Sequence, residues 1–239
     1  MERQEYTAET YPSFGKKYNG EKAIISLTSW RARINTVSKT IYSLIKQCPG
    51  FHIVLVLSEE EFPKMMKELP ENLTIFAENE LIEILWVYRN YRSFKKWIFT
   101  ADKYPDVPII TADDGCVYVR NYAEELYQKW LSNKDKIISY NRFDKSGVTF
   151  GGSGSGICFM PHLAQFFNNI PNVVIVSSHD DFYYGYIAKL YHINWVFLNR
   201  IPNENNFKDF NNNDGITAKL HPDSFIPKLM YVLDSTFSQ

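Results

Sequence analysis

An α/β fold, with a twisted and mostly parallel central sheet flanked by helices on both faces, is the class the 239-residue sequence predicts. Two observations carry this reading. Short, nearly unbroken apolar runs recur through the first half, as parallel strands covered on both faces require. Segments of helical apolar spacing lie between them, and a β-α-β rhythm of this kind implies parallel strands joined by helical crossovers.

The elements follow in order. Ala23-Ile24-Ile25-Ser26-Leu27 is the first buried strand. Ile34, Val37, Ile41, Leu44 and Ile45 then recur at helical spacing, and Pro49-Gly50 ends that helix. Residues 53–57 form a second strand. A charged helix is expected over 59–69, with Pro63 near its start. Residues 82–87 form a third strand, 93–103 a helix, and 108–112 a fourth strand. In the second half, 122–131 reads as a helix and 136–140 as a strand. His179-Asp180-Asp181 opens another helix, whose stripe of Tyr183, Tyr186, Ile187 and Leu190 reads as core. Residues 203–214 are polar and asparagine-rich and are expected to form a mobile loop. The end, 222–237, reads as a closing helix with Phe225, Leu229, Val232 and Leu233 on one side.

Composition narrows the function. A formal net charge of -1 gives no reason to expect nucleic acid as a partner. Aromatic residues reach 16%, and such rings suit sugar and nucleobase surfaces as well as cores. Cys48, Cys116 and Cys158 match neither a zinc spacing nor a disulfide framework, which points to a reducing, cytoplasmic setting. Residues 1–18 lack the apolar core of a signal peptide, and no apolar run nears the roughly 20 residues that span a bilayer. Any membrane association is therefore expected to be peripheral, at the inner face.

The most informative stretch runs from Ile109 to Tyr118. Asp113 and Asp114 end an apolar strand, although aspartates are poor strand formers and costly to bury. At the carboxyl edge of an α/β sheet such a pair suits a hard divalent ion with a diphosphate. Asp-Asp-Gly is equally good turn chemistry. The loop Gly151-Gly152-Ser153-Gly154-Ser155-Gly156 fits neither the phosphate-binding loop nor the dinucleotide fingerprint. It reads either as close backbone approach to a ligand or as a flexible connection. Asp180 and Asp181 are explained structurally by helix capping and the helix dipole.

Six segments, in order over about residues 22–198, carry a resemblance. They are Ser26-Leu27-Thr28-Ser29-Trp30-Arg31-Ala32-Arg33-Ile34, the run from Leu57 to Pro63, Ser93-Phe94-Lys95-Lys96, Asp113-Asp114-Gly115, the run from Gly151 to Pro161, and Asp180-Asp181. Together they resemble bacterial glycosyltransferases of the GT-A type, in particular the small capsule and lipopolysaccharide enzymes. The resemblance implies a single GT-A-like domain over 1–239, with a nucleotide-sugar half at 22–120 and an acceptor half at 121–239. It implies transfer of a sugar from a nucleotide-diphosphate donor to a glycan or lipid-linked acceptor, with inversion, in surface polysaccharide synthesis. Thr28, Ser29, Arg33, Lys95, Lys96, Asp113, Asp114, Gly152 and Gly154 would bind the donor. Asp113 and Asp114, with His221, would hold Mn²⁺ or Mg²⁺. Asp181 would be the general base, with Asp180 as second choice. The family usually has a third aspartate where this chain has Gly115, which implies weaker metal dependence. Gly115 also keeps a second reading open, a non-catalytic sugar-nucleotide or carbohydrate-binding module on the same scaffold. A sugar nucleotidyltransferase ranks third, because Thr28-Ser29-Trp30-Arg31 has no glycine where that class has a glycine-rich loop.

Overall fold

The β-α-β rhythm of the first half builds the centre of the sheet. In the computed structural model, which describes residues 6–47, 49–167, 170–198 and 226–237, four parallel strands lie side by side. They are β2 (Ala23–Thr28), β3 (Phe51–Ser58), β4 (Glu83–Val87) and β5 (Ile109–Asp113), in the spatial order β4-β3-β2-β5. The chain steps outward from β2 to β3 to β4 and then returns to place β5 on the other side of β2. The β2–β5 boundary is therefore a topological switch point, the place where open α/β sheets bind ligands.

The sheet is mixed rather than purely parallel. β1 (Ser13–Gly15) pairs antiparallel with β4 at one edge. Beyond β5, β9 (Ile157–Phe159) is antiparallel to both β5 and β6 (Ile137–Ser139), and β10 (Trp195–Phe197) lies parallel to β6. Among the described residues the sheet has eight strands, and a separate hairpin pairs β7 (Phe143–Lys145) with β8 (Val148–Phe150).

Alternation along the strands divides the core into two layers. Ile25, Leu27, Leu55, Leu57, Ile84 and Trp86 face α1 (Val37–Ile45), α2 (Glu71–Glu78) and α4 (Tyr122–Leu131). Ile24, Val54, Val56, Leu85 and Val87 face α3 (Lys95–Lys103), α6 (Asp180–Leu190) and α7 (Ile226–Phe237). Helices thus cover both faces, as expected. Each fully buried aliphatic side chain contributes about 1.5–3 kcal/mol. Trp97 of α3 anchors the second layer, with its ring 4.5 Å from Phe159, 4.7 Å from Phe167 and 5.3 Å from Tyr184.

Some expectations need correction. Residues 59–69 are not a helix. Proline disfavours helical backbone at the residue before it, and Met65 lies in the left-handed region at φ 50°. Only a 3-10 turn, Met65–Glu68, forms there, and the helix comes later as α2. The helix expected from Ser93 starts at Lys95, behind a 3-10 turn over Arg92–Phe94. Leu190 is not core but 38% exposed, at the last turn of α6. α5 (Asn172–Ser177) was not anticipated. Residues 203–214, Cys48 and His221 lie outside the described residues. Among the described residues no helix is long and apolar enough to cross a membrane.

Candidate functional site

The switch point opens into a cavity of about 810 Å³. Thr28 and Asp113, register partners at the carboxyl ends of β2 and β5, sit at its floor. The first turn of α3 adds Lys95 and Lys96, the first turn of α6 adds Asp180 and Asp181, and Ser29, Arg33, Asp114 and Ser153 complete the inner wall. The β7 residues Phe143, Asp144 and Lys145 form part of the rim.

The two aspartates of the pair have different surroundings. Consecutive residues of an extended chain project to opposite sides. Asp113 turns toward α3, where its half-exposed carboxylate accepts a bond from Lys96 Nζ at 2.7 Å. Asp114 turns the other way and is buried. Its Oδ2 accepts from Ser29 Oγ at 2.7 Å and its Oδ1 from Arg33 Nη1 at 2.8 Å. Burial pushes the Asp114 carboxyl up, and the Arg33 and Ser29 bonds oppose that rise.

Lys96 is the hub of the inner wall. Only 2% exposed, it reaches Asp113 Oδ1, Asp180 Oδ2 at 3.1 Å and Ser153 Oγ at 2.6 Å. An ammonium has three donors, and these three partners match them. Burial works against its charge, yet Asp113, Asp180 and Asp181 outweigh that and raise its pKa. Asp181 accepts the Ser153 backbone N–H on Oδ1 at 2.8 Å. Burial, then the neighbouring Asp180 charge, push the Asp181 carboxyl up to about 7.

Lys95 does a different job. Its buried ammonium donates to Glu61 Oε2 and Asn90 Oδ1, both at 2.7 Å, and burial lowers its pKa against the Glu61 charge. Asn90 Oδ1 also accepts the Arg92 backbone N–H at 2.9 Å. That bond helps hold Arg92 at φ 51°, a left-handed backbone that costs roughly 1–2 kcal/mol for a residue with a Cβ. Arg92 lines the cavity, and its guanidinium has no ion pair or hydrogen bond among the described residues. Sequence reading missed Arg92, although it directly precedes Ser93-Phe94-Lys95-Lys96. Its strained backbone and unpaired side chain have no sequence signature.

The glycine loop makes close approaches, but to protein side chains. A Cβ on Gly154 would overlap Asp113 Oδ2. The Gly152 N–H donates to Asn141 Oδ1 at 2.9 Å. Neither glycine lines the cavity, whereas Ser153 between them does. The hydroxyl of Thr28 donates to the Val56 carbonyl at 2.7 Å, and that of Ser29 is spent on Asp114.

Of the expected metal ligands, Asp113 and Asp114 are already bonded to protein cations, and His221 lies outside the described residues. Among the described residues no group of three or more histidines, cysteines, aspartates or glutamates could hold an ion. Asp114 is occupied by Ser29 and Arg33, while Asp113 and Asp180 share the Lys96 ammonium.

Comparison with known proteins adds little. No protein-family profile matches the chain, and no curated protein does. Among solved structures, the glycosyltransferase GlyE of Streptococcus pneumoniae TIGR4 is similar with a TM-score of 0.47 and 13% identity, over 76% of this chain. The match spans 46% of that chain's length.

Proposed function

We propose that the chain is a GT-A glycosyltransferase that moves a sugar from a nucleotide-diphosphate donor to a hydroxyl of a glycan or lipid-linked acceptor, in surface polysaccharide synthesis. One observation carries the reading. A single cavity at the switch point combines guanidinium groups suited to a diphosphate, on Arg33 and Arg92, with a carboxyl poised near neutral pH, on Asp181.

The chemistry follows from these residues. Departure of the diphosphate leaves an oxocarbenium-like anomeric carbon and develops negative charge on phosphate oxygens. The guanidinium groups of Arg92 and Arg33, which both line the cavity, would meet that charge with charge-assisted bonds. Asp181 would take the proton of the attacking acceptor hydroxyl. The Ser153 N–H holds one of its oxygens, which fixes the direction of the other. Attack opposite the leaving group inverts the anomeric centre.

A panel of nucleotide sugars, assayed for release of nucleoside diphosphate with and without simple acceptors, tests the proposal. Release supports a transferase. Binding without release would favour the carbohydrate-binding reading, and neither binding nor release would remove both.

A further inference from the structure

We infer that the Lys96 ammonium takes the place of a divalent ion at this sheet edge, so that the site works without metal. The inference rests on the donor-site reading above and deepens it.

A bridging ion at the end of a sheet joins carboxylates from different elements and neutralises them. Lys96 Nζ does this here. It joins Asp113 of β5 to Asp180 of α6, with Ser153 Oγ of the intervening loop as third partner. Its side chain is 3% exposed and issues from the first turn of α3 beside the cavity. The second carboxylate of the pair offers no alternative seat, since Asp114 is bonded to Ser29 and Arg33. Gly115 contributes no third carboxylate. The chain has thus exchanged a mobile cofactor for a covalently attached cation of lower charge. Lys96 acts as a positioning residue. It holds Asp113 and Asp180 in place, and through Ser153 it fixes the loop whose backbone N–H orients Asp181.

Titration of the intact protein with Mn²⁺, followed by electron paramagnetic resonance, tests this without substrate. The parent protein should leave Mn²⁺ free. Lys96→Gln, which frees Asp113 and Asp180 beside Asp181, should gain a Mn²⁺ site at least about tenfold tighter, the order expected when one unit of charge is removed nearby. Lys96→Arg keeps the cation and should gain nothing. In parallel, uridine and guanosine diphosphates are titrated calorimetrically into the parent in EDTA and in Mn²⁺, with equal affinities expected. A stoichiometric Mn²⁺ site in the parent, nucleotide binding that vanishes in EDTA, or a folded Lys96→Gln protein with no gain would each overturn the inference. Should Lys96→Gln fail to fold, the parent titration alone decides. Should no nucleotide bind under either condition, the donor-site reading fails, while the Mn²⁺ titrations still decide the role of Lys96.

Discussion

Arg92 shows what a single residue contributes. Arg92 lines the cavity, its guanidinium without a partner among the described residues, on a backbone held left-handed beside the network that buried Lys95 makes with Glu61 and Asn90. Strain of this kind persists where the surroundings over-determine it, and it clusters at ligand sites. Two effects should separate on substitution. Arg92→Gly relieves the backbone and should raise stability by about 1 kcal/mol, seen as a higher melting temperature. The same variant should weaken nucleoside diphosphate binding by about tenfold or more, because a charge-assisted bond is worth roughly 1.5–3 kcal/mol. A protein that loses stability and keeps its affinity would show that Arg92 is structural. Asp113 and Asp114 add a second lesson at this scale. The sequence presents them as an equivalent pair. Period-two geometry sends one toward α3 and Lys96 and the other to Ser29 and Arg33, and those partners are distant in sequence.

At the scale of elements, legibility follows length and burial. β2, β3, β4 and β5 were readable because each is a mostly apolar strand of at least five residues. β1, β6, β7, β8, β9 and β10 are three residues each, too short to carry a period. Only β6 was foreseen, inside a longer predicted strand. The helix expected over 59–69 failed because its charge pattern suits a turn as well, and Pro63 with the left-handed Met65 decides for the turn. Asp113, Asp114, Asp180, Asp181, Lys95 and Lys96, which all line the cavity, were singled out from the sequence by their places at a strand end and at helix starts and by the family resemblance; Glu61 was not. Arg92, Ser153 and the β7 rim were not, because loops place them. The glycine loop was found but misread, since its close neighbours are side chains of the protein. A direct test is Gly154→Ala. The added methyl must displace the Asp113 carboxylate, and overpacking of this kind costs about 1–3 kcal/mol. Thermal unfolding should report that loss, and calorimetry a weaker nucleotide affinity. An unchanged Gly154→Ala protein would mean that the loop yields freely and does not set the position of Asp113.

Among the described residues, buried carboxylates and lysines gather in two regions of the sheet. The cavity lies at the carboxyl ends of β2 and β5. Near the opposite ends of β3 and β4, Glu83 is 2% exposed and accepts from His52 Nε2 at 2.8 Å, Lys103 Nζ at 2.6 Å and Tyr104 Oη at 2.6 Å. Burial opposes the Glu83 charge, but these bonds outweigh it and hold the carboxyl down at about 2. A depressed carboxyl binds fewer protons in the folded state, so its contribution is full above the ordinary glutamate range and is lost as pH falls toward 2. Glu83→Gln leaves buried charge without its partner and should destabilise by about 3–5 kcal/mol. Denaturant unfolding between pH 7 and pH 3 should show that penalty shrinking as acid increases. A constant or growing penalty would contradict the assignment. Asp181 has the opposite sign. Its raised carboxyl holds a proton more tightly when folded, so it lowers stability as pH rises from the ordinary aspartate range toward about 7.

The most direct test of the central claim is the pH–rate profile of sugar transfer for the parent and for Asp181→Asn, on whichever nucleotide sugar the panel shows to be a donor. A general base must be ionised to work, so the parent rate should rise with pH and level off above about 7, the value to which burial and Asp180 push the Asp181 carboxyl. Asp181→Asn keeps size and cannot take a proton. It should lose about 10²- to 10⁴-fold in turnover, lose the rising limb, and bind nucleoside diphosphate as the parent does. A folded Asp181→Asn protein with near-parental turnover and the same pH profile would contradict the account.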